Sequence, residues 1–356
     1  MRRRYVDLTR GLAVLVMIGA HALDAWTKPA DRSTVAFRNL TVLGGFAAPL
    51  FLWLAGVALV LSAESRAFRA GSRRTAALAI VRRGLEIFIL AFLFRLQAFI
   101  VSPGSPAVTL FRVDILNVMG PSIAAAGLLW CLVENRAATV VVYAVSAIAL
   151  AMLTPVVRSA AWVSALPIWL QWYIRPAGEY TTFTGLPWAG FVFAGGALGA
   201  LIAIARDDRS ERLVQAATAA VGTGLIVFGF YAASLPTIYQ SSSFWTSSPT
   251  YFAIRVGVMM LGLAAIYAVS AGTVHRALSP LEKLGRSSLF VYWIHVELVY
   301  GYAAWPIRHR LKLWEAAGAY AIFCALMYGA VILRDRIVDR WRARRATGPS
   351  AQAARA

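Results

Sequence analysis

Residues 40–62 read LTVLGGFAAPLFLWLAGVALVLS, a run of apolar and small residues without a single charged side chain. A helix of this length is about 35 Å long, which is enough to cross a bilayer core of about 30 Å. Similar segments recur along the whole chain. We predict ten membrane-spanning helices, at 11–26, 40–62, 79–101, 114–133, 138–156, 185–205, 214–235, 251–272, 286–304 and 314–333.

The overall composition is that of a membrane protein. Of the 356 residues, 60% are hydrophobic and only 14% are charged, whereas soluble domains carry about 25% charged residues. Residues 160–174 are rich in tryptophan but too short to span, which is typical of an interfacial or re-entrant segment. We therefore expect an all-α polytopic membrane protein, with a transmembrane domain over 1–335 and a basic, disordered cytoplasmic tail over 336–356.

The net charge of +19 is distributed as expected for a membrane protein. The arginines lie between apolar segments and not along one solvated face, so we expect contacts with membrane lipids and no nucleic-acid partner. With both termini in the cytoplasm, 24 of the 35 Lys and Arg residues fall in cytoplasmic ends and loops, and nine in outer loops. This bias favours an even number of helices.

Neither a disulfide framework nor a metal site is indicated. Cys131 and Cys324 both lie inside apolar segments, and no Cys/His spacing resembles a zinc site. The N-terminal arginines and the apolar run after them also resemble a cleavable signal peptide. Because Asp7 and Arg10 interrupt its basic region, we predict a retained first helix instead.

The first predicted helix carries four ionisable residues on one stripe: Asp7, Arg10, His21 and Asp24. At about 100° per residue, His21 lies within about 20° of Arg10 and about 16 Å farther along the axis. Arg10 would then lie at the cytoplasmic headgroups and His21 near the membrane midplane. A neutral imidazole there can accept a proton or act as a nucleophile, with Asp24 holding its tautomer. The alternative is a histidine that hydrogen-bonds between helices.

His295 is a second candidate at the same depth. It lies about ten residues into another helix that starts in the cytoplasm, so the two imidazoles could line one cavity. The alternative is that His295 binds only a backbone carbonyl.

A third group of polar residues falls in the outer half of the bundle or at its rim: Arg95, Arg112, Asp114, Asn117 and Arg255. Charged groups at membrane depth are costly and are often functional. These five residues form either ion pairs, such as Arg95 with Asp114, or a site that binds a substrate or polarises its carbonyl group.

Several motifs, taken in order, resemble the transmembrane acyltransferases. The ten residues between Arg10 and His21 are a mark of the acyltransferase-3 proteins. Other stretches are similar to bacterial relatives of heparan-α-glucosaminide N-acetyltransferase. The motifs are 4–13 (RYVDLTRGLA), 48–56 (APLFLWLAG), 114–120 (DILNVMG), 186–191 (LPWAGF) and 284–295 (LGRSSLFVYWIH). Each motif alone is of low specificity, whereas their order is more telling.

This resemblance implies transfer of an acyl group, usually acetyl, from cytosolic acyl-CoA to an acceptor presented on the far side. It implies that His21 is catalytic, with Arg10 supporting the donor or the helix entrance, in a bacterial inner membrane. The human-type enzyme has a lumenal extension ahead of its first helix, which we do not expect in this protein, so its glucosaminide acceptor is not carried over. We expect a hydroxyl or amine of an envelope glycan or lipid.

Five arginines on the predicted cytoplasmic side could hold the phosphates of coenzyme A: Arg73, Arg74, Arg82, Arg83 and Arg286. Their role as topology determinants explains them equally well. Two other functions stay open. A proton-coupled transporter or flippase for a small anion or lipid would also use midplane histidines, and a scaffold without chemistry would leave the buried charges unexplained. The sequence gives no oligomeric state.

Overall fold

A computed structural model describes residues 3–101, 104–181, 183–271 and 277–346. Within these ranges the regular structure is helical, apart from two isolated β-bridges. The chain divides into two compact units. The first holds Met1–Val6 and Ala48–Thr273 and the second Asp7–Ala47 and Val274–Ala356, so far as the structure describes them.

The α-helices are numbered in chain order. They are α1 (Arg4–Trp26), α2 (Val35–Gly44), α3 (Ala47–Ala70), α4 (Arg73–Val101), α5 (Ile115–Leu132), α6 (Arg136–Ser159), α7 (Ile168–Ile174), α8 (Gly185–Ile204), α9 (Asp208–Ser234), α10 (Pro249–Ser270), α11 (Ser279–Arg286), α12 (Ser288–Tyr300) and α13 (Leu313–Ala346).

Each of the ten predicted spans corresponds to a helix, and the prediction of an all-α polytopic membrane protein is confirmed. In the described ranges, nine helices are long and apolar enough to cross a membrane, with α2 and α3 counted together. The exception is the predicted span 286–304. Its helix α12 has 13 residues and is only about 20 Å long. It ends at Gly301, whose backbone is extended.

The structure confirms that residues 160–174 are too short to span, and it changes the predicted start of the C-terminal tail. The stretch 160–174 forms a short 3₁₀-helix, Ala161–Ala165, followed by α7, and both are too short to span. The predicted disordered tail was placed at 336–356. However, α13 continues to Ala346, because 336–346 contains arginines and alanines, which are good helix formers. Residues 347–356 lie outside the described residues.

Glycines allow close helix packing in the first unit, where α4 packs on α5, α6 on α8 and α9 on α10. Gly84 of α4 and Gly120 of α5 face each other. A Cβ added to either would lie 2.6 Å from the carbonyl oxygen of the other. Small residues of this kind let helices approach closely where the hydrophobic effect does not drive them together.

The second unit uses the same device to place α11 and α12 against α1. A Cβ on Gly11 would overlap the carbonyl oxygen of Leu281, and one on Gly285 would overlap that of Asp7. Farther along α1, the indole N–H of Trp26 donates to the carbonyl oxygen of Val299 at 3.2 Å. The two ends of α12 are therefore fixed relative to α1.

Replacing Gly285 by alanine is expected to destabilise the protein by about 1–3 kcal/mol, because backbone atoms of α1 cannot move aside as a flexible side chain would. The measurement is the thermal unfolding temperature of the purified protein in detergent. Gly318 of α13 is the matched control, since a Cβ there meets no atom within 4 Å. An equal unfolding temperature for Gly285→Ala and Gly318→Ala would refute the close approach.

Candidate active site

The two histidines predicted to share one depth are in direct contact in the second unit. Nδ1 of His21 lies 2.8 Å from Nε2 of His295. The ring planes are within 5° of parallel and the centroids are 5.0 Å apart. In a face-to-face stack the two centroids would be closer than 5.0 Å. The two rings therefore lie side by side, joined by the hydrogen bond between their nitrogens. His295 is fully buried, whereas His21 is half-buried.

The partners of the two rings determine where their protons lie. Nδ1 of His295 is 2.8 Å from the carbonyl oxygen of Val291. A carbonyl oxygen can only accept, so Nδ1 of His295 carries a proton. Burial disfavours a charged imidazolium, and in the neutral ring Nε2 then accepts. Nδ1 of His21 must donate to it, which places the lone pair of a neutral His21 on Nε2.

Tyr300 connects the histidine pair to Asp24. Its ring meets the edge of His21 with centroids 5.7 Å apart, and its hydroxyl donates to Oδ2 of Asp24 at 3.0 Å. Asp24 is exposed and also lies 3.7 Å from the guanidinium of Arg32. The expectation that Asp24 fixes the tautomer of His21 stays a prediction. In the structure, Nδ1 of His21 faces His295 and Asp24 accepts a hydrogen bond from Tyr300.

Asp7 and Arg10 belong to an ion-pair cluster at the start of α1. The buried carboxylate of Asp7 lies 3.3 Å from Nη1 of Arg10 and 3.7 Å from Nε of Arg286. Arg286 also pairs with Glu282 of its own helix. Arg286, predicted to bind the donor, therefore neutralises a buried carboxylate and ties α11 to α1.

The other four candidate donor-binding arginines lie on α4 and differ in environment. Arg73 donates to the carbonyl oxygen of Val133 at 2.7 Å and lies 3.8 Å from Glu64. Arg82 and Arg83 are exposed and pair with Glu86, and Arg74 is exposed. Arg73 is thus held by the protein itself, and the exposed three are the more accessible to a ligand.

Arg95, Asp114 and Asn117 form a structural group in the first unit. Arg95 pairs with Asp114, which caps α5 by accepting from the N–H of Ile115 at 2.9 Å. The Asn117 side chain accepts from the N–H of Asp114 in return. This geometry favours the ion pair that the sequence left open.

The cap is linked to helix α7. The Asn117 amide donates to the hydroxyl of Tyr173 at 3.4 Å. Burial raises the pKa of Tyr173 above its usual value, and the bond from Asn117 opposes this.

Arg255 differs from the ion-paired Arg95, because its guanidinium group lies over the rings of Tyr251 and Trp188.

Sequence reasoning missed Tyr300 and the carbonyl of Val291. Tyr300 lies five residues beyond His295, and Asp24 three beyond His21. Because His21 and His295 lie at the same depth, the rise per residue of the two helices predicts that Tyr300 lies near the depth of Asp24. The carbonyl of Val291 has no sequence signal, because every residue carries one.

The fold and the contacting imidazoles define a polytopic membrane protein with ionisable groups held inside a helical unit. A family model described as an acyltransferase domain, the acyltransferase-3 type, matches residues 3–334. The chain therefore belongs to this acyltransferase family, as predicted, and the match includes both histidines. No curated protein matches the chain in a sequence search. The closer resemblance to the heparan-α-glucosaminide enzymes stays a prediction.

Asp114→Ala is expected to lower the free energy of unfolding by about 2 kcal/mol or more, because it removes a cap and leaves Arg95 without its carboxylate. Thermal unfolding in detergent measures this. Asp207→Ala is the matched control. Asp207 caps α9, is exposed, and has its pKa lowered by bonds from Ser210. Its loss should cost only the cap, about 1 kcal/mol. Equal costs for the two variants would show that the ion pair contributes nothing.

Proposed function

We propose that the protein transfers an acyl group, acetyl in the simplest case, from cytosolic acyl-CoA to a hydroxyl or amine of a cell-envelope sugar or lipid. The bacterial inner membrane is the proposed location. The observation that supports this most is the chain of contacts from the Val291 carbonyl through His295 to His21. It orients a lone pair on Nε2 of His21, in a chain that belongs to an acyltransferase family.

In the proposed reaction, Nε2 of His21 removes the proton from the acceptor as its oxygen or nitrogen attacks the thioester carbonyl. The carbon–sulfur bond then breaks, and the thiolate of coenzyme A takes the proton from the imidazolium. The base is neutral before and after each cycle, so protons balance. The same lone pair could instead attack the thioester and form an acyl-histidine, which the acceptor would then resolve.

His295 would act as the positioning residue. When His21 gains a proton, its Nδ1–H continues to donate to His295, and His295 donates to the Val291 carbonyl. Two aligned dipoles would then stabilise the positive charge inside a site of low dielectric, where such interactions are stronger than in water. His295, expected from the sequence to line a substrate cavity together with His21, has a supporting role in this scheme.

The donor would be held by its phosphates. Arg74, Arg82 and Arg83 present exposed guanidinium groups, and guanidinium binds phosphate in a bidentate manner. Within the second unit, Arg10 and Asp7 would support the entrance end of the first helix. Both proposals accord with the family resemblance.

His21→Ala is expected to reduce acyl transfer about 100- to 10,000-fold, because a general base typically contributes this much. His295→Leu should reduce it about 10- to 100-fold, as removing the partner of a functional histidine does. His295→Gln should recover part of this loss, because an amide oxygen can accept from Nδ1–H of His21. The measurement is transfer of labelled acetyl from acetyl-CoA to an envelope extract by proteoliposomes.

His309→Asn is the matched control, since His309 is an exposed loop histidine with a left-handed backbone that asparagine tolerates. It should transfer like the wild type, and unfolding temperatures verify that all variants are folded. Full activity in a folded His21→Ala variant would overturn the proposal. Saturable uptake by proteoliposomes without any need for acetyl-CoA would favour the transporter instead.

A further inference from the structure

Two arginines of the first unit border the same pair of loop segments. Arg158, in the last turn of α6, donates to the hydroxyl oxygen of Thr184 at 2.5 Å and to the carbonyl oxygens of Leu186 at 2.7 Å and Thr246 at 3.1 Å. Arg255, in the second turn of α10, has its guanidinium carbon 4.1 Å from the ring centroid of Tyr251 and 5.8 Å from that of Trp188. Both cations therefore lie beside residues 184–188 and 244–251.

Neither cation has a carboxylate partner in the part of the chain that the structure describes. Among the described residues, no Asp or Glu oxygen lies within 4.0 Å of Arg158 or Arg255. Three other partly buried arginines of the same unit are paired with a carboxylate: Arg3 with Glu211, Arg73 with Glu64 and Arg95 with Asp114. Placing two half-buried positive charges beside the same two loop segments without a carboxylate is costly, so the cost suggests that a ligand compensates them.

The way in which Arg255 is held suits such a ligand. Stacking on an aromatic face fixes the guanidinium plane, and the N–H groups at its edge that do not bond to the Tyr251 side chain can donate to an acceptor. The Nε atom of Arg255 is buried and has no hydrogen-bond partner among the described residues. A guanidinium edge matches the paired oxygens of a phosphate or carboxylate.

The position of the two arginines at helix ends also limits which molecules could supply the anion. Arg158 ends its helix, Arg255 is six residues from the start of α10, and Thr184 immediately precedes α8. The site therefore lies at helix ends, and the ends of membrane-spanning helices meet the headgroup region. Lipid headgroups and envelope sugars are both found there.

We propose that Arg255, with Arg158 beside it, binds an oxyanion group, a phosphate or carboxylate carried by a lipid headgroup or an acidic sugar. The site stands independently of the histidine pair, because it requires only binding. If the transferase proposal holds, the site gives the protein a preference for negatively charged acceptors.

The test measures binding to the purified full-length protein through tryptophan fluorescence and thermal unfolding. One arm compares nanodiscs of phosphatidylglycerol with nanodiscs of phosphatidylcholine. The other compares methyl glucuronide with neutral methyl glucoside at matched ionic strength. We expect preference for the anionic member in at least one arm. The arm that responds identifies lipid or sugar as the source.

Arg255→Gln should weaken the anion preference at least tenfold, and Arg255→Lys should retain part of it because the charge is kept. Arg66→Gln is the matched control, since Arg66 is exposed and hydrogen-bonds only to Ser62 among the described residues. If Arg255→Gln unfolds, the comparison rests on Arg255→Lys and Arg158→Gln. Equal binding of charged and neutral members, or an unchanged preference in the Arg255 variants, would overturn the site. His21→Ala should bind the anion normally, so failure of the transferase proposal is separable.

Discussion

A backbone carbonyl can accept a hydrogen bond but never donate one, and in this protein that property of Val291 fixes the protons of two side chains. It holds a proton on the near nitrogen of His295, so the far nitrogen receives one from His21. The consequence is a lone pair at Nε2 of His21. In many proteins the other ring nitrogen of a functional histidine bonds to a backbone carbonyl or to a carboxylate. Here the partner of Nδ1 is a second, neutral imidazole, which adds no further buried charge.

The histidine contact depends in turn on how closely α11 and α12 approach α1. Gly11 and Gly285 permit that approach because neither has a Cβ to meet the opposing backbone. The ion pairs of Asp7 with Arg10 and Arg286 form at the same level. Packing and charge therefore act together near the start of α1, and the helices carry the alignment about three turns farther, to the histidines.

Much of this arrangement follows from helical arithmetic. The spacing of Arg10 and His21 places both on one face, and the depth of His295 follows from its distance to the helix start. Tertiary contacts cannot be counted along one helix in this way, because His21 and His295 are 274 positions apart and meet only after folding. A stripe on one helix also does not reveal which side chains of other helices reach it, and the hydroxyl of Tyr300 donates to Asp24. The predicted span 286–304 was too long because the sequence stays apolar past Gly301, whereas the backbone leaves the helix there.

The protonation of His21 is the most direct test of the account. The chain has four histidines, so nitrogen-15 labelling of histidine alone gives few signals, and a His21→Gln variant assigns those of His21 by their loss. At neutral pH the account predicts a protonated Nδ1 and an unprotonated Nε2 for His21. A proton on Nε2 with the lone pair on Nδ1, or a His295 ring protonated at both nitrogens, would contradict it.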